Sequence, residues 1–236
     1  MDAIPTRYEA EDLLYQSGQD NPGGWYDHSQ YVALGAEIIA SHHPQLDSNV
    51  AYILGLLHDI GRRTGQSNMR HTIDGYRYLE PLGYSDSARI CLTHSFPIKN
   101  VHAHAGVWDC PPEDVAFVAG FLADTEYNDY DRLIQLCDAL ALPTGFCLIE
   151  KRLVDISLRH GVNEYTIPRW QATFDLQQYF EQIIGGSIYE LLPGIVENTF
   201  STPMSSDLHT LSTGPVTQNG QADLALPSFF EAASPA

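Results

Sequence analysis

The sequence predicts an all-α fold in one domain, over about residues 1–200. Three observations carry this. Apolar residues recur at helical spacing along most of the chain, proline and glycine punctuate the recurring stretches, and a long amphipathic stretch over 168–184 ends at the Gly185–Gly186 pair. With 236 residues the chain is long enough for one helical domain with a real core, and its 44% hydrophobic content is ordinary for a globular protein.

The elements follow in order. Residues 28–41 carry Tyr31, Val32, Leu34, Ile38 and Ile39 in a rough stripe that stops before Pro44. Asp47 or Ser48 caps a helix expected to run to about Ile60, with Gly61 as its end. A third helix covers about 71–82 and stops near Gly83, and a fourth starts at Ser85 as cap and ends before Pro97. Pro111 and Pro112 followed by Glu113 and Asp114 suit a helix start for 111–124. Helices over 128–141 and 145–160 close at Pro143 and Gly161, and a short segment follows Ser187. The run DTEYNDYD, residues 124–131, lacks the spacing of a calcium loop and reads as a connection capped by Asn128 or Asp129. From about Ser201 to Ala236 the chain is rich in Ser, Thr, Pro and Gly without a period, and is expected to be a disordered tail.

Composition narrows function. The net charge of −18, with only Lys99 and Lys151 beside ten arginines, repels polyanions and disfavours a nucleic-acid partner. The same field attracts cations. No apolar run is long enough to span a bilayer, and the acidic start MDAIPTRYEAEDLL lacks the layout of a secretory leader, so a cytoplasmic protein with no membrane partner is expected. Cys91, Cys110, Cys137 and Cys147 show no CxxC spacing and read as reduced structural thiols.

The stretch AYILGLLHDIGRR, residues 51–63, is the most informative one. A bare His-Asp pair is expected about once by chance in this composition, so the dipeptide alone is weak. Its context is not. Residues 51–57 are apolar on every side, which places His58 and Asp59 at the end of a central, buried helix. An unpaired carboxylate there is costly, so Asp59 needs Arg62 or Arg63, a hydrogen-bond network, or a metal. Asp138 also falls on the apolar side of its helix, with Ile134 and Ala141. His28 shares a face with Val32 and Gly35, His71 with Gly75 and Tyr78, and His94 stands four residues after Ile90. Any one buried histidine is commonly a hydrogen-bonded core residue. Four histidines and two aspartates together form a typical N/O donor set for one or two divalent ions; manganese, iron, magnesium, zinc and nickel all suit it.

The order His28, His58–Asp59, Asp138, with LGLLHDIGR as the signature helix, resembles the HD-domain superfamily of metal-dependent phosphohydrolases. The resemblance implies an HD-like helical bundle in which Asp59 bridges two ions, with His28, His58 and Asp138 on one and His71 and His94 on the other. It implies a water activated by metal for attack on phosphorus, on a small anionic phosphoester or nucleotide. Arg62, Lys151 and Arg152, with Arg63, are candidates to hold the phosphate; Arg62, three residues after the pair, has the best case, and Asp59 and Lys151 complete the expected catalytic set. Because His94 is followed by Ser95 and no GYP tripeptide occurs, the cyclic-dinucleotide phosphodiesterase branch is disfavoured. Two alternatives stay open: an HD-type mixed-valent di-iron oxygenase cleaving a C–C or C–P bond, and a non-catalytic nucleotide- or partner-binding module; NPGGWYDHSQ would be a lid in the first, but reads more simply as an ordered loop with an aromatic anchor. The apolar stripe of 168–184 would serve a dimer as well as a core, so the oligomeric state stays open too.

Overall fold

A computed structural model describes residues 3–200; the expected tail over 201–236 lies outside the described residues. The chain enters through α1 (Arg7–Asp20), which begins at a reciprocal cap: Thr6 accepts from the Glu9 amide, and the Glu9 carboxylate accepts from the Thr6 amide. This helix was not expected from the sequence, where the segment read only as acidic. Helix α2 (Gly24–Ser41) starts earlier than the apolar stripe suggested, so Trp25 and Tyr26 sit in its first turn instead of in a preceding loop. The Trp25 indole donates to the Asn21 carbonyl at 2.9 Å and anchors the turn between α1 and α2.

Helix α3 (Ser48–Leu57) is capped by Asp47, as expected, but stops at Leu57, short of Ile60. A 3₁₀ turn over Ile60–Thr64 follows, and Asp59 links the two with φ −105° and ψ 13°, between the helical and extended basins. The turn after the break packs tightly on its neighbour. A Cβ on Gly61 would lie 2.0 Å from the His71 carbonyl oxygen and 2.4 Å from the Gly75 amide nitrogen. Gly61 therefore does not end a helix by a left-handed turn. It lets the 3₁₀ turn press onto α4 (Arg70–Leu79), which carries His71. Gly55 does the same between α3 and α2, where an added Cβ would lie 2.9 Å from the Ala33 Cα.

Helix α4 gives way at Glu80–Leu82 to a 3₁₀ turn closed by Gly83 at φ 85°. Helix α5 (Ser85–Thr93) follows; Tyr84, not Ser85, occupies its cap position, without a side-chain bond. After a loop come α6 (Pro112–Asp124) and α7 (Asp129–Leu140), the latter capped by the Asn128 side chain with Asp131 reciprocating. Buried Asp131 also accepts from Arg89 Nε at 3.1 Å and from Thr93 Oγ1 at 2.8 Å, joining α7 to α5. Gln135 donates its amide to the Thr93 and Phe96 carbonyls and closes the end of α5 beside His94.

The expected helix over 145–160 is shorter. Ala141–Leu142 (β1) and Gly145–Phe146 (β2) pair antiparallel in a small hairpin, with Gly145 at φ 138°, before α8 (Ile149–His160) begins. The hairpin tucks Phe146 into the core edge-on to Tyr31. Helix α9 (Thr166–Ile184) spans the amphipathic stretch, and α10 (Ile188–Leu191) and α11 (Ile195–Phe200) finish the described chain. The main core gathers α2, α3, α7 and α9 through residues such as Val32, Leu54, Ile134 and Phe180. Each such fully buried aliphatic or aromatic side chain contributes about 1.5–3 kcal/mol relative to exposure. All four cysteines are free thiols. No helix among the described residues is long and apolar enough to cross a membrane.

Lys151 departs from its expected role. Its ammonium donates to the Asn198 carbonyl at 3.0 Å and to the Thr199 carbonyl, at the end of α11. The last carbonyls of a helix are orphan acceptors at the negative end of its dipole, so a lysine is drawn there. Lys151 thus latches α11 onto α8 and does not line the cavity described below; its neighbour Arg152 does.

Candidate metal centre

Five elements deliver six polar side chains to one place. His28 comes from α2, Asp138 from α7, and His71 from α4; His58, Asp59 and His94 lie just past the C-terminal ends of α3 and α5. His58 is fully buried, and His28, Asp59, His71 and His94 nearly so. Asp138 is the exception: its carboxylate is 28% exposed and opens into a cavity instead of packing in the core.

Two groups of donor atoms lie within 4.8 Å of one another: His28, His58 and Asp138, and His58, Asp59 and His94. His71 joins the second group through its Nε2, 3.1 Å from Asp59 Oδ1 and 3.3 Å from His94 Nε2. His94 Nε2 lies 3.6 Å from the same Asp59 oxygen. His58 touches both groups, where the resemblance had assigned it to one ion alone.

The tautomers decide what the cluster can hold. His58 Nδ1 bonds the Gly55 carbonyl at 2.7 Å, His94 Nδ1 bonds the Ile90 carbonyl at 3.1 Å, and His71 Nδ1 bonds the Asn68 carbonyl. Carbonyls accept only, so in each neutral ring Nδ1 carries the proton and Nε2 presents a lone pair. Burial lowers the His71 pKa to about 3 and the His94 pKa to about 4, which keeps both rings neutral near pH 7. Three lone pairs therefore converge near one carboxylate, and neither His58 Nε2 nor Asp59 Oδ1 has a hydrogen-bond partner. His71 and His94 cannot donate to each other across their 3.3 Å contact. Buried acceptors facing acceptors are unfavourable unless a cation lies among them, so the donor set fits a divalent metal.

Arg62 accounts for only part of the Asp59 charge. Its Nε donates to Asp59 Oδ2 at 2.6 Å, and its Nη1 to the Ser67 carbonyl at 3.1 Å, leaving Oδ1 to the imidazoles. Burial pushes the Asp59 carboxyl up, but the Arg62 charge leads a larger opposing pull that holds it well below the usual range. Asp138 is depressed too: burial raises it, and the His28 bond at 2.9 Å with the Arg152 charge overrides that. His28 differs from the other rings, since its Nε2 faces Asp138 and its buried Nδ1 has no partner.

All of the cluster but the fully buried His58 lines a cavity of about 1120 Å³, far larger than inorganic phosphate requires. Arg62, Arg152, His104, Arg159, Trp25 and Arg169 are among its walls. Arg63 is elsewhere, paired to Asp20 at 2.6 Å and laid over the Tyr78 ring. His102 is exposed, whereas His104 is buried against Phe96 and Trp108 at the cavity wall. Arg169 and Gln135 were not singled out from the sequence. Each looks like a solvated polar residue on an amphipathic helix, and only the packing of α9 and α7 turns it inward.

The family model for the HD domain matches residues 25–142, half of the chain. The chain belongs to the HD-domain family. That match begins at the first turn of α2 and ends in the hairpin after α7, so it encloses all six side chains of the cluster. HD domains bind divalent metals, and the His/Asp groups here can hold one. No curated protein and no solved structure matches the chain.

Proposed function

We propose that this HD-domain protein is a metal-dependent phosphohydrolase acting on a small phosphoester or nucleotide. The observation that carries the reading is the convergence of three imidazole lone pairs and an unpartnered Asp59 oxygen beneath an open cavity. His58, Asp59, His71 and His94 would hold one ion, the single free His58 nitrogen serving that ion alone, and Asp138 with His28 would offer donors to a second. When bound, such ions supply Lewis-acid stabilisation of phosphoryl oxygens and lower the pKa of water toward neutrality.

The chain's own residues do the rest. Arg62 clamps Asp59 Oδ2 and fixes the direction of Oδ1. Arg152, 3.5 Å from Asp138 Oδ1, stands at the cavity wall where a phosphate would approach the second donor group. The main-chain carbonyls of Gly55, Asn68 and Ile90 keep the ring protons on Nδ1, away from the reacting side. The apolar walls of Trp25, Leu142 and Leu153 limit water around the substrate.

Elemental analysis of protein purified without chelators, in moles of metal per chain, together with hydrolysis of a phosphoester panel, tests this. Asp59→Ala is expected to lose metal and hydrolysis together. Unchanged metal content and turnover in that variant would overturn the reading, and iron retained with oxygen uptake would replace it by the oxygenase.

A further inference from the structure

The cavity is wider than a phosphoryl group, and its arginines are not equivalent. Arg62 is bonded to Asp59, Arg152 lies 3.5 Å from Asp138, and Arg159 donates to Asp155 at 2.8 Å. Arg169 has no such partner: it takes part in none of the ion pairs among the described residues. It is nevertheless only 8% exposed, and its Nη1 is buried without a hydrogen-bond acceptor. A buried guanidinium is costly unless paired, and burial alone lowers its pKa, with no acidic neighbour to offset that cost. Asp59 pairs with Arg62 and Asp138 with Arg152, and neither carboxylate pairs with Arg169.

Its surroundings are those of a receptor. Asn163 approaches the His104 carbonyl at 3.5 Å, tying the start of α9 to the His104 loop. His104 lines the same cavity as Arg169, is buried, and has an unpartnered Nδ1; burial lowers its imidazole, a backbone hydrogen bond at Ala105 raises it, and the Arg169 charge adds to the lowering. Thr173, one turn on from Arg169, also faces the cavity, but its hydroxyl is used on the Arg169 carbonyl at 3.0 Å. What the wall offers a ligand is thus a cation and one imidazole nitrogen.

We infer that Arg169, with His104 beside it, receives a second anionic group of the substrate, so that the substrate is a small molecule bearing a carboxylate or phosphate some distance from the phosphoryl group at the metal centre. This rests on the phosphohydrolase reading for the first group only. Arg169 acts here as a specificity residue.

The test uses the full chain loaded with Mn²⁺ and stable phosphonates, by titration calorimetry. Methyl-, ethyl- and propylphosphonate report the metal centre alone; phosphonoacetate, 3-phosphonopropionate and 4-phosphonobutyrate add a carboxylate at increasing reach. At least one carboxylated probe is expected to bind about tenfold more tightly than its plain counterpart, as suits one charge-assisted pair. Arg169→Gln should abolish that gain, and Arg169→Lys should keep part of it. Because Arg169 pairs with no carboxylate, Arg169→Gln leaves no acid orphaned and is expected to fold. In the wild-type chain, hydrogen exchange over 166–173 should slow more with the carboxylated probe than with its counterpart, a reading independent of any variant. No gain at any length, a gain that survives Arg169→Gln, or equal exchange overturns the inference. Plain phosphonates that bind equally with and without Mn²⁺ count against the phosphohydrolase reading instead, and leave the Arg169-dependent gain to be judged by itself.

Discussion

Replacing Gly61 by alanine strikes the metal centre without touching a ligand. The new Cβ would sit 2.0 Å from the His71 carbonyl oxygen, where ordinary contact begins at 3.4 Å. The 3₁₀ turn and α4 must therefore separate by about 1.4 Å, and the obstacle is backbone on both sides, so no side chain can swing away. Asp59 is two residues before Gly61, and His71 carries the opposing carbonyl, so their 3.1 Å approach opens by a comparable amount. Metal–donor distances tolerate only about 0.2 Å. Overpacking of this kind costs about 1–3 kcal/mol, and each kcal/mol lowers Tm by roughly 2–4 °C in a domain of this size. Gly61→Ala is thus expected to lose most bound metal while retaining a cooperative melt at a lower Tm, read by elemental analysis and circular dichroism. Gly120→Ala is the control, since nothing lies within 4 Å of an added Cβ there. Full metal content and an unchanged Tm in Gly61→Ala would refute the argument that this close approach assembles the site.

Other perturbations have equally definite outcomes. In metal-free protein, His71 and His94 stay neutral down to about pH 3 and about pH 4 while their unfolded counterparts protonate below about 6.5. The unfolded state then binds more protons, so stability falls as pH drops from about 6.5 toward 4, and urea titrations of His71→Gln and His94→Gln should show a shallower fall. Arg89→Ala leaves Asp131 buried without its cation and should cost about 3–5 kcal/mol in urea unfolding; a loss under 1 kcal/mol would show that Thr93 and Asn128 suffice. Lys151→Ala should speed hydrogen exchange over 195–200 and leave phosphoester turnover intact, whereas a collapse of turnover at unchanged exchange would restore Lys151 to the site.

The cluster was legible because its members are out of place. A histidine or aspartate on an apolar helix face violates the pattern around it, and six such violations point inward together. Side chains that obey the pattern gave no such signal. Lys151 and Arg152 are adjacent cations on one helix, and only the docking of α11 against α8 decides that the first turns to the Asn198 and Thr199 carbonyls while the second lines the cavity. Arg169 is one polar residue among many on α9, and its burial depends on neighbours distant in sequence. The close packing at Gly61 is of the same kind, because the backbone it approaches lies ten residues away at His71. Helix α1 carried a local cap in Thr6 and Glu9, which made it readable in principle.

The carbonyls that orient the three imidazoles belong to residues three or four positions earlier in the same segment. Each ring thus brings its own aiming device, drawn from the turn of peptide it stands on. Remote substitutions can move these turns relative to one another, but they cannot easily rotate a ring or shift its proton. Damage to this centre should therefore show itself as misplaced spacing between intact donors, and an added ion of different radius is a natural probe for which gap has changed.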